Sequence, residues 1–260
     1  MSRTKEFKKE IDFFLKKLIK KENFNLLRFS DGELFMLQRK SIKLGGIWVK
    51  LGNKITGIKR FPRFDRKTFD PKTHNKFVEK LIQSFTYRSN EYYVGINCKC
   101  CVGEKDYQWQ FGEFLKEDHD NLTWSNVLLN SNYPFFLEKF YPIIKERGAN
   151  VICNINADLS KLNWVKKDFR IGNDSFSDLS LIDTIKNYIE TNKIENELFL
   201  FSSSSFSNVA QYELGKAFKK NTYIDIGTTL SHEFGLPVER EYLVNYKKGE
   251  INKLKTCVWN

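Results

Sequence analysis

The sequence predicts an α/β protein of Rossmann-like type, in which a mostly parallel sheet carries helices on both faces. Short apolar segments without polar alternation indicate strands that are buried on both faces, and helix-length segments separate them. The strand segments are NLLRF, YYVGIN, ANVICNI, LFLF and YIDI. No linker or break in composition divides the chain, so residues 1–260 are predicted to form a single domain.

Composition and charge exclude several classes of protein. Of the 260 residues 41% are hydrophobic, and 5 cysteines are too few, and odd in number, for a disulfide scaffold. No apolar run is long enough to span a membrane, and no signal peptide is visible, which favours the cytoplasm. The net charge of +11 indicates an anionic partner. Because the lysines are dispersed, as on a solvated surface, that partner is not expected to be nucleic acid.

The first predicted element is an amphipathic helix at residues 5–21, whose apolar face contains Phe7, Ile11, Phe14 and Leu18. Packing of this face against the domain is the favoured interpretation. Since the opposite face is basic, peripheral contact with a membrane surface is the alternative.

The other elements follow from apolar periodicity along the chain. Helices are expected at Leu34–Gln38, Asn75–Tyr87, Trp109–Lys116, Pro134–Arg147, Leu179–Thr191 and Asn208–Lys219. Strands are expected at Asn25–Phe29, Tyr92–Asn97, Asn126–Leu129, Ala149–Ile155, Leu198–Phe201 and Tyr223–Ile226. Residues 40–73 are rich in Gly and Lys and are expected to be irregular or to form a hairpin.

Ligands bind open α/β sheets at the carboxyl ends of the strands, and the first such loop runs from Arg28 through Ser30, Asp31, Gly32 and Glu33. In an extended or turning backbone, Asp31 and Glu33 point the same way and could face one Mn²⁺ or Mg²⁺. Gly32 would let a phosphate come close. The alternative is a capping box, in which Ser30 and Glu33 satisfy the first amides of a helix.

A second loop connects the LFLF strand to a helix through Ser202, Ser203, Ser204 and Ser205. Free amides and the helix dipole at such a junction favour a phosphate. An ordinary serine N-cap is the alternative interpretation.

The last strand carries Asp225 and is followed by Gly227, Thr228, His232 and Glu233. A carboxylate inside an apolar strand needs a partner, which could be a ribose hydroxyl, a metal or a buried amide. The alternative is a loop with a hydrogen-bonded aspartate and no ligand.

Cys98, Cys100 and Cys101 follow the YYVGIN strand. Their C-x-C-C spacing, even with His119, does not match the usual pairs of zinc ligands. A reduced, partly buried thiol cluster is therefore the favoured interpretation.

Taken together, these segments resemble the GT-D-type glycosyltransferases, once grouped as the DUF1792 domain. RFSDGELFML is similar to the R-F-x-D-G-E signature of that family, and LFLFSSSSFSNVAQYELGKAF followed by NTYIDIGTTL is similar to its last blocks. The resemblance covers residues 20–245. The chain departs from the family at Ser131–Pro134, where members often have an Arg-Pro-Tyr-like segment, and in its all-serine loop. These departures bear on the sugar and the acceptor more than on the reaction class.

The resemblance implies sugar transfer from a nucleotide-diphosphate sugar, most readily a UDP-sugar, to a glycan or glycoconjugate acceptor. It implies Asp31 and Glu33 as ligands of a divalent metal, Mn²⁺ or Mg²⁺, and Arg28 as a partner of the diphosphate or of a carboxylate. An inverting reaction would also need a carboxylate base, for which Glu233 is the candidate. The further candidate substrate-binding residues are Ser30, Gly32, Ser202, Ser203, Ser204, Ser205, Asp225, Gly227, Thr228 and His232.

Two other classes of function compete with this interpretation. One is a non-catalytic nucleotide- or glycan-binding domain of the same fold. The other is a basic nucleic-acid-binding protein whose aromatic side chains stack on bases, but the sequence has no RNP-like motif of basic and aromatic residues.

Overall fold

The computed structural model describes residues 6–43, 68–116, 121–172, 174–176 and 178–259. Within these residues seven strands form one parallel sheet, and a further pair of short strands, β2 and β3, is antiparallel. The strands are β1 Asn25–Arg28, β2 Ile42–Lys43, β3 Thr68–Phe69, β4 Tyr92–Ile96, β5 Leu122–Trp124, β6 Ala149–Asn154, β7 Val165–Ile171, β8 Leu198–Ser202 and β9 Thr222–Asp225.

Helices connect these strands. They are α1 Phe7–Ile19, α2 Asp31–Leu37, α3 Asn75–Thr86, α4 Lys99–Val102, α5 Glu104–Leu115, α6 Tyr133–Phe135, α7 Tyr141–Arg147, α8 Ser180–Thr191, α9 Phe206–Ala217 and α10 Glu241–Lys247. A π-helical turn at Phe136–Phe140 joins α6 to α7. Among the described residues, no helix is both long enough and apolar enough to cross a membrane.

Successive residues of the central strands enter two separate hydrophobic cores, one on each face of the sheet. Leu26 and Leu27 of β1 lie in different cores, as do Leu200 and Phe201 of β8. This follows from the two-residue period of a strand, which sends neighbouring side chains to opposite faces. Since helices cover both faces, every strand position of β1, β4 and β8 needs an apolar or internally bonded side chain. The predicted fold class is confirmed.

The apolar face of α1 is buried in the core on its side of the sheet. Phe7, Ile11, Phe14 and Leu18 are each at most 3% exposed. Phe14 packs edge-on against Tyr93 of β4, with ring centroids 5.2 Å apart. The apolar face of α1 therefore packs against the domain, which agrees with the favoured interpretation.

Several elements differ from the sequence prediction. The strand expected at Asn126–Leu129 is wrong, because β5 lies earlier and residues 126–129 form a turn closed by the Leu129 N–H and the Asn126 carbonyl at 2.8 Å. β7 was not predicted, because VKKDFRI is a half-exposed edge strand with four charged residues. α10 was also missed. Most of residues 40–73 lie outside the described residues, and the β2–β3 pair flanks them as a hairpin would.

The strand order is β5-β4-β1-β9-β8-β6-β7. On one side of β1 the neighbouring strands are β4 and then β5. On its other side the neighbour is β9, the last strand in the chain, followed by β8, β6 and β7. β1 and β9 therefore lie side by side at the point where the strand order reverses. In open α/β sheets, this is where the loops separate and a ligand crevice forms.

The sheet predicts opposite effects for two glycine substitutions. A Cβ on Gly95 of β4 would lie 2.9 Å from the Trp124 carbonyl oxygen and 3.0 Å from that of Leu27, both of them backbone atoms of neighbouring strands. Gly95→Ala should lower the free energy of unfolding by about 1–3 kcal/mol.

Gly112 in α5 is the matched control, because a Cβ there meets no atom within 4 Å. Gly112→Ala should stabilise the protein by up to about 1 kcal/mol through helix propensity. Urea denaturation of both variants measures the difference, and equal shifts would contradict the close approach at Gly95.

Candidate active site

The centre of the candidate site is a buried arginine–aspartate pair at the carboxyl ends of β1 and β9. Arg28 is 5% exposed and Asp225 is 7% exposed, with Nη1 and Oδ1 3.7 Å apart. Arg28 Nε donates to the Ser125 carbonyl after β5. In the described part of the chain, Arg28 Nη1 is a buried donor with no hydrogen-bond partner. Nη1 thus faces the Asp225 carboxylate at ion-pair distance without a hydrogen bond, an incompletely satisfied charge that an anion could stabilise.

The turn after β9 depends on glycine at position 227. Gly227 has φ +52°, and its N–H donates to Asp225 Oδ1 at 2.8 Å. A Cβ on Gly227 would collide with the Arg28 guanidinium. The glycine thus lets the turn lie directly against the arginine.

The signature segment after β1 begins a helix, and the capping interpretation of it is confirmed. Glu33 Oε2 accepts the Ser30 N–H at 3.0 Å and closes a capping box. Since Asp31 and Glu33 lie in the first turn of α2, their side chains diverge by about 200° around the helix. The extended or turning backbone in which both would point the same way is therefore not what this segment forms. Capping uses one oxygen of the Glu33 carboxylate, and the other is not part of the cap.

Asp31, Glu33 and Asp225 nevertheless form one electrostatic unit, which we call the acidic cluster. Burial, followed by the charges of Asp225 and Asp31, raises the pKa of Glu33 to about 7. Burial also raises the pKa of Asp225 to about 6, although the charge of Arg28 opposes this shift. The pKa of Asp31 is raised by desolvation, which the charge of Arg240 opposes. A divalent cation would relieve the cost of ionising these three groups together.

Buried amide side chains hold the backbone that carries the acidic cluster. Asn208 Nδ2 donates to the Arg28 carbonyl at 3.1 Å, and Asn97 Nδ2 and Gln110 Nε2 donate to the Phe29 carbonyl at 2.9 and 3.0 Å. Sequence reasoning missed these residues. Their signal was weak: Asn97 directly follows an apolar strand, and the other two lie inside helices.

The serine loop lies beside this cluster but uses two of its hydroxyls internally. Ser202 Oγ donates to the Gly227 carbonyl at 2.7 Å, and the Ser203 hydroxyl is bonded to that of Ser207 at 3.0 Å. Ser204 is exposed and has φ +56°. Ser205 is buried at the start of α9 and makes no side-chain cap, so the ordinary N-cap alternative is not what the loop forms.

Two residues that the sequence did not single out lie close to the acidic cluster. The Tyr242 hydroxyl is 2.8 Å from Thr228 Oγ1, and burial raises the pKa of Tyr242 to about 12, against the charges of Arg28 and Arg240. Arg240, which precedes α10, also acts on Asp31. No motif marks either residue, because they lie at the start of a helix near the C-terminus that the periodicity did not predict.

His232 and Glu233, the two candidate residues beyond Thr228, differ in their exposure to solvent. His232 is exposed. Glu233 is half-buried, and in the described part of the chain its Oε2 has no hydrogen-bond partner. After burial and Tyr242, the charge of Glu233 is a further cause that raises the pKa of Tyr133. The Tyr133 ring lies 5.0 Å from that of Tyr242, which connects Glu233 to the edge of the site.

The predicted thiol cluster has a fourth member. Cys98, Cys100 and Cys101 are joined by Cys257, and the four sulfur atoms all lie within 4.8 Å of one another. Nothing in the sequence indicated that Cys257 lies beside the other three, because more than 150 residues separate it from them. His119, the other ligand considered, lies outside the described residues.

Comparison with solved structures identifies the fold. One neighbour is described as "The highly conserved domain of unknown function 1792 has a distinct glycosyltransferase fold"; it is 16% identical with TM-score 0.51, and the match covers 94% of this chain and 89% of that one. Another is a selenomethionine-substituted DUF1792 domain, at 17% identity, TM-score 0.49 and the same coverage. No protein-family model and no curated protein matches the sequence. The chain thus has the glycosyltransferase fold of the DUF1792 domain, and the resemblance seen in the sequence is confirmed at that level.

The raised pKa of Glu33 predicts a pH dependence of stability in metal-free protein. Between the ordinary value of 4.5 and about 7, the folded protein keeps a proton that the unfolded chain releases, so stability falls as pH rises through this window. Glu33→Gln keeps a capping oxygen but removes the charge. With EDTA at pH 8, it should raise the free energy of unfolding by up to about 3 kcal/mol relative to the wild type.

The gain in stability should disappear at pH 4.5, where the wild-type Glu33 side chain, like the glutamine of the variant, is neutral in the folded protein. Urea midpoints of the wild type and the variant at the two pH values measure it. A difference that does not change with pH would show that Glu33 is not a desolvated member of the cluster.

Proposed function

We propose that this protein is a metal-dependent glycosyltransferase that moves a sugar from a nucleotide-diphosphate sugar, most readily a UDP-sugar, to a glycan or glycoconjugate acceptor. One observation carries the proposal: the acidic cluster and the buried Arg28 meet at the reversal point of a sheet with a glycosyltransferase fold. Fold alone does not define an activity, so it is the chemistry of these side chains that supports this one.

The side chains fit a divalent metal with a diphosphate. Carboxylate oxygens are the ligands that Mn²⁺ and Mg²⁺ take in proteins, and Asp31 with the uncapped oxygen of Glu33 would supply them. When bound, the metal would neutralise the charge that develops on the leaving diphosphate. The buried charge of Arg28, beside Asp225, would favour a phosphate next to the metal, and Arg240 adds positive charge to the same edge.

The loops around this centre would hold the rest of the substrates. Ser204, exposed between β8 and α9, is placed to meet the nucleotide, while Ser202 fixes the turn at Gly227. Thr228 and His232 extend the same edge. Glu233 is the proposed base for the acceptor hydroxyl, because its Oε2 is a buried acceptor that bonds to no group among the described residues.

Asp31→Asn tests the assignment. With Mn²⁺ and UDP-sugars, the variant should lose about 10²-fold or more in the rate of UDP release, because it removes a charge needed at the leaving group. Its melting temperature should stay equal or rise, since a desolvated carboxyl becomes a neutral amide.

Asp183→Asn, at an exposed position in α8, is the matched control and should leave the rate unchanged. Full turnover by Asp31→Asn would contradict the proposal. Tight binding of nucleotide by a wild type that turns over no nucleotide sugar would instead support a non-catalytic binding domain of this fold.

Ser204 allows a test of the serine loop that does not disturb the fold. Asp and Asn both tolerate a positive φ, so Ser204→Asp and Ser204→Asn should fold alike and differ only in charge. The Asp variant should bind UDP at least about tenfold more weakly than the Asn variant, a difference of about 1.4 kcal/mol. Equal affinities by calorimetry would exclude this loop from the diphosphate site.

A further inference from the structure

The four clustered cysteines lie outside the proposed transfer chemistry and come from two distant parts of the chain, residues 98–101 and residue 257. Cys98 follows β4, Cys100 and Cys101 lie in α4, and Cys257 belongs to the C-terminal segment. Four of the chain's 5 cysteines converge here, while Cys153 lies buried in β6. Such convergence of thiols from distant segments is the arrangement of a protein metal site.

The sulfur positions suit a single tetrahedral ion. With Zn–S bonds of about 2.3 Å, the sulfur atoms of a tetrahedral Cys₄ site are about 3.8 Å apart. Here Cys101 Sγ and Cys257 Sγ are 3.8 Å apart and all four lie within 4.8 Å. Cys98 Sγ and Cys100 Sγ, 2.9 Å apart, would have to separate by about 0.9 Å when the ion binds. A multi-iron cluster would hold its thiolates around a larger inorganic core. A disulfide, by contrast, would bring two sulfur atoms to about 2.05 Å.

The surroundings of the thiols would also support thiolates. Asn126 Nδ2 donates to Cys101 Sγ at 3.3 Å, and Asn130 Nδ2 donates to Cys257 Sγ at 3.3 Å. Lys255 Nζ donates to the Cys100 carbonyl, which places a positive charge beside the four sulfur atoms. Metal-bound thiolates gain from such outer hydrogen bonds and charges.

We propose that Cys98, Cys100, Cys101 and Cys257 bind one Zn²⁺ ion that fastens the C-terminal segment to the carboxyl edge of the sheet. Four thiolates leave no open position, which makes the site structural. Soft thiolates select zinc, whereas the oxygens of the acidic cluster suit Mn²⁺ or Mg²⁺, so the two sites would not compete for the same ion. This proposal is independent of the proposed glycosyltransferase activity.

The segment that zinc would fasten also packs on the body of the protein. Trp259 stacks on Trp124 of β5 with ring centroids 4.4 Å apart, and the Ser131 N–H donates to the Lys255 carbonyl at 3.0 Å. Zinc would therefore close a loop of more than 150 residues between Cys101 and Cys257. Loss of the ion should loosen Trp259 and the end of the chain before it unfolds the sheet.

Metal analysis and cobalt substitution of the whole protein test the site. Protein prepared under reducing conditions with Zn²⁺ should hold about one zinc per chain, and Co²⁺ in its place should give the sulfur-to-cobalt charge-transfer and tetrahedral ligand-field bands of a tetrathiolate. Removal of zinc should lower the melting temperature by roughly 5 °C or more and change the emission of Trp259.

Single substitutions locate the ligands. Cys100→Ser and Cys257→Ser should each lose the zinc, while Cys153→Ser and Asp31→Asn should keep it. If Cys257→Ser does not fold, the half-buried Cys100 and the cobalt spectrum of the wild type still decide the question. Protein that takes up no zinc or cobalt with its thiols free, or that forms a disulfide among these cysteines under the same reducing conditions, would overturn the proposal.

Discussion

The buried pairing of Arg28 with Asp225 is the constraint on which the site depends. Both side chains end central strands of a sheet that is covered on both faces, where an unpaired charge is costly. The turn at Gly227 and the carbonyl after β5 accommodate the guanidinium, whose Nη1 faces Asp225 and, in the described part of the chain, makes no hydrogen bond. Asp31 and Glu33 add carboxyl groups to the same place, and burial, followed by the charges of Asp225 and Asp31, raises the pKa of Glu33. The arrangement therefore favours a ligand that brings both a cation and phosphate oxygens.

Much of this could be predicted from the sequence, because the central strands are apolar and short. The pattern gave the positions of β1, β4, β6, β8 and β9 within one or two residues, and the rule for parallel sheets then placed Arg28, Asp31, Glu33 and Asp225 at one edge. It failed for β7, whose charged edge sequence has no apolar run, and for Asn126–Leu129, whose apolar residues pack from a turn. The relative directions of Asp31 and Glu33 depended on where α2 begins, which spacing cannot decide.

The contacts that sequence reasoning missed are those between distant segments. Arg240 and Tyr242 reach the cluster from α10, and Cys257 reaches the other thiols from the C-terminal segment. Both sets come from the last part of the chain, which returns to the carboxyl edge after the sheet is complete. The last part of the chain thus reaches both the acidic cluster and the four clustered cysteines. The charge of Cys101 also contributes to the raised pKa of Asp31, which places the two groups near each other.

We propose that the acidic cluster and Arg28 bind a diphosphate together with a divalent metal. Calorimetry of UDP and UMP on the wild-type protein, first with Mn²⁺ and then with EDTA, tests it most directly. We expect UDP to bind at least tenfold tighter than UMP with Mn²⁺, a gap of about 1.4 kcal/mol, because only the diphosphate reaches both the metal and Arg28. The gap should shrink once the metal is chelated. Equal affinities for the two nucleotides under both conditions would contradict the claim.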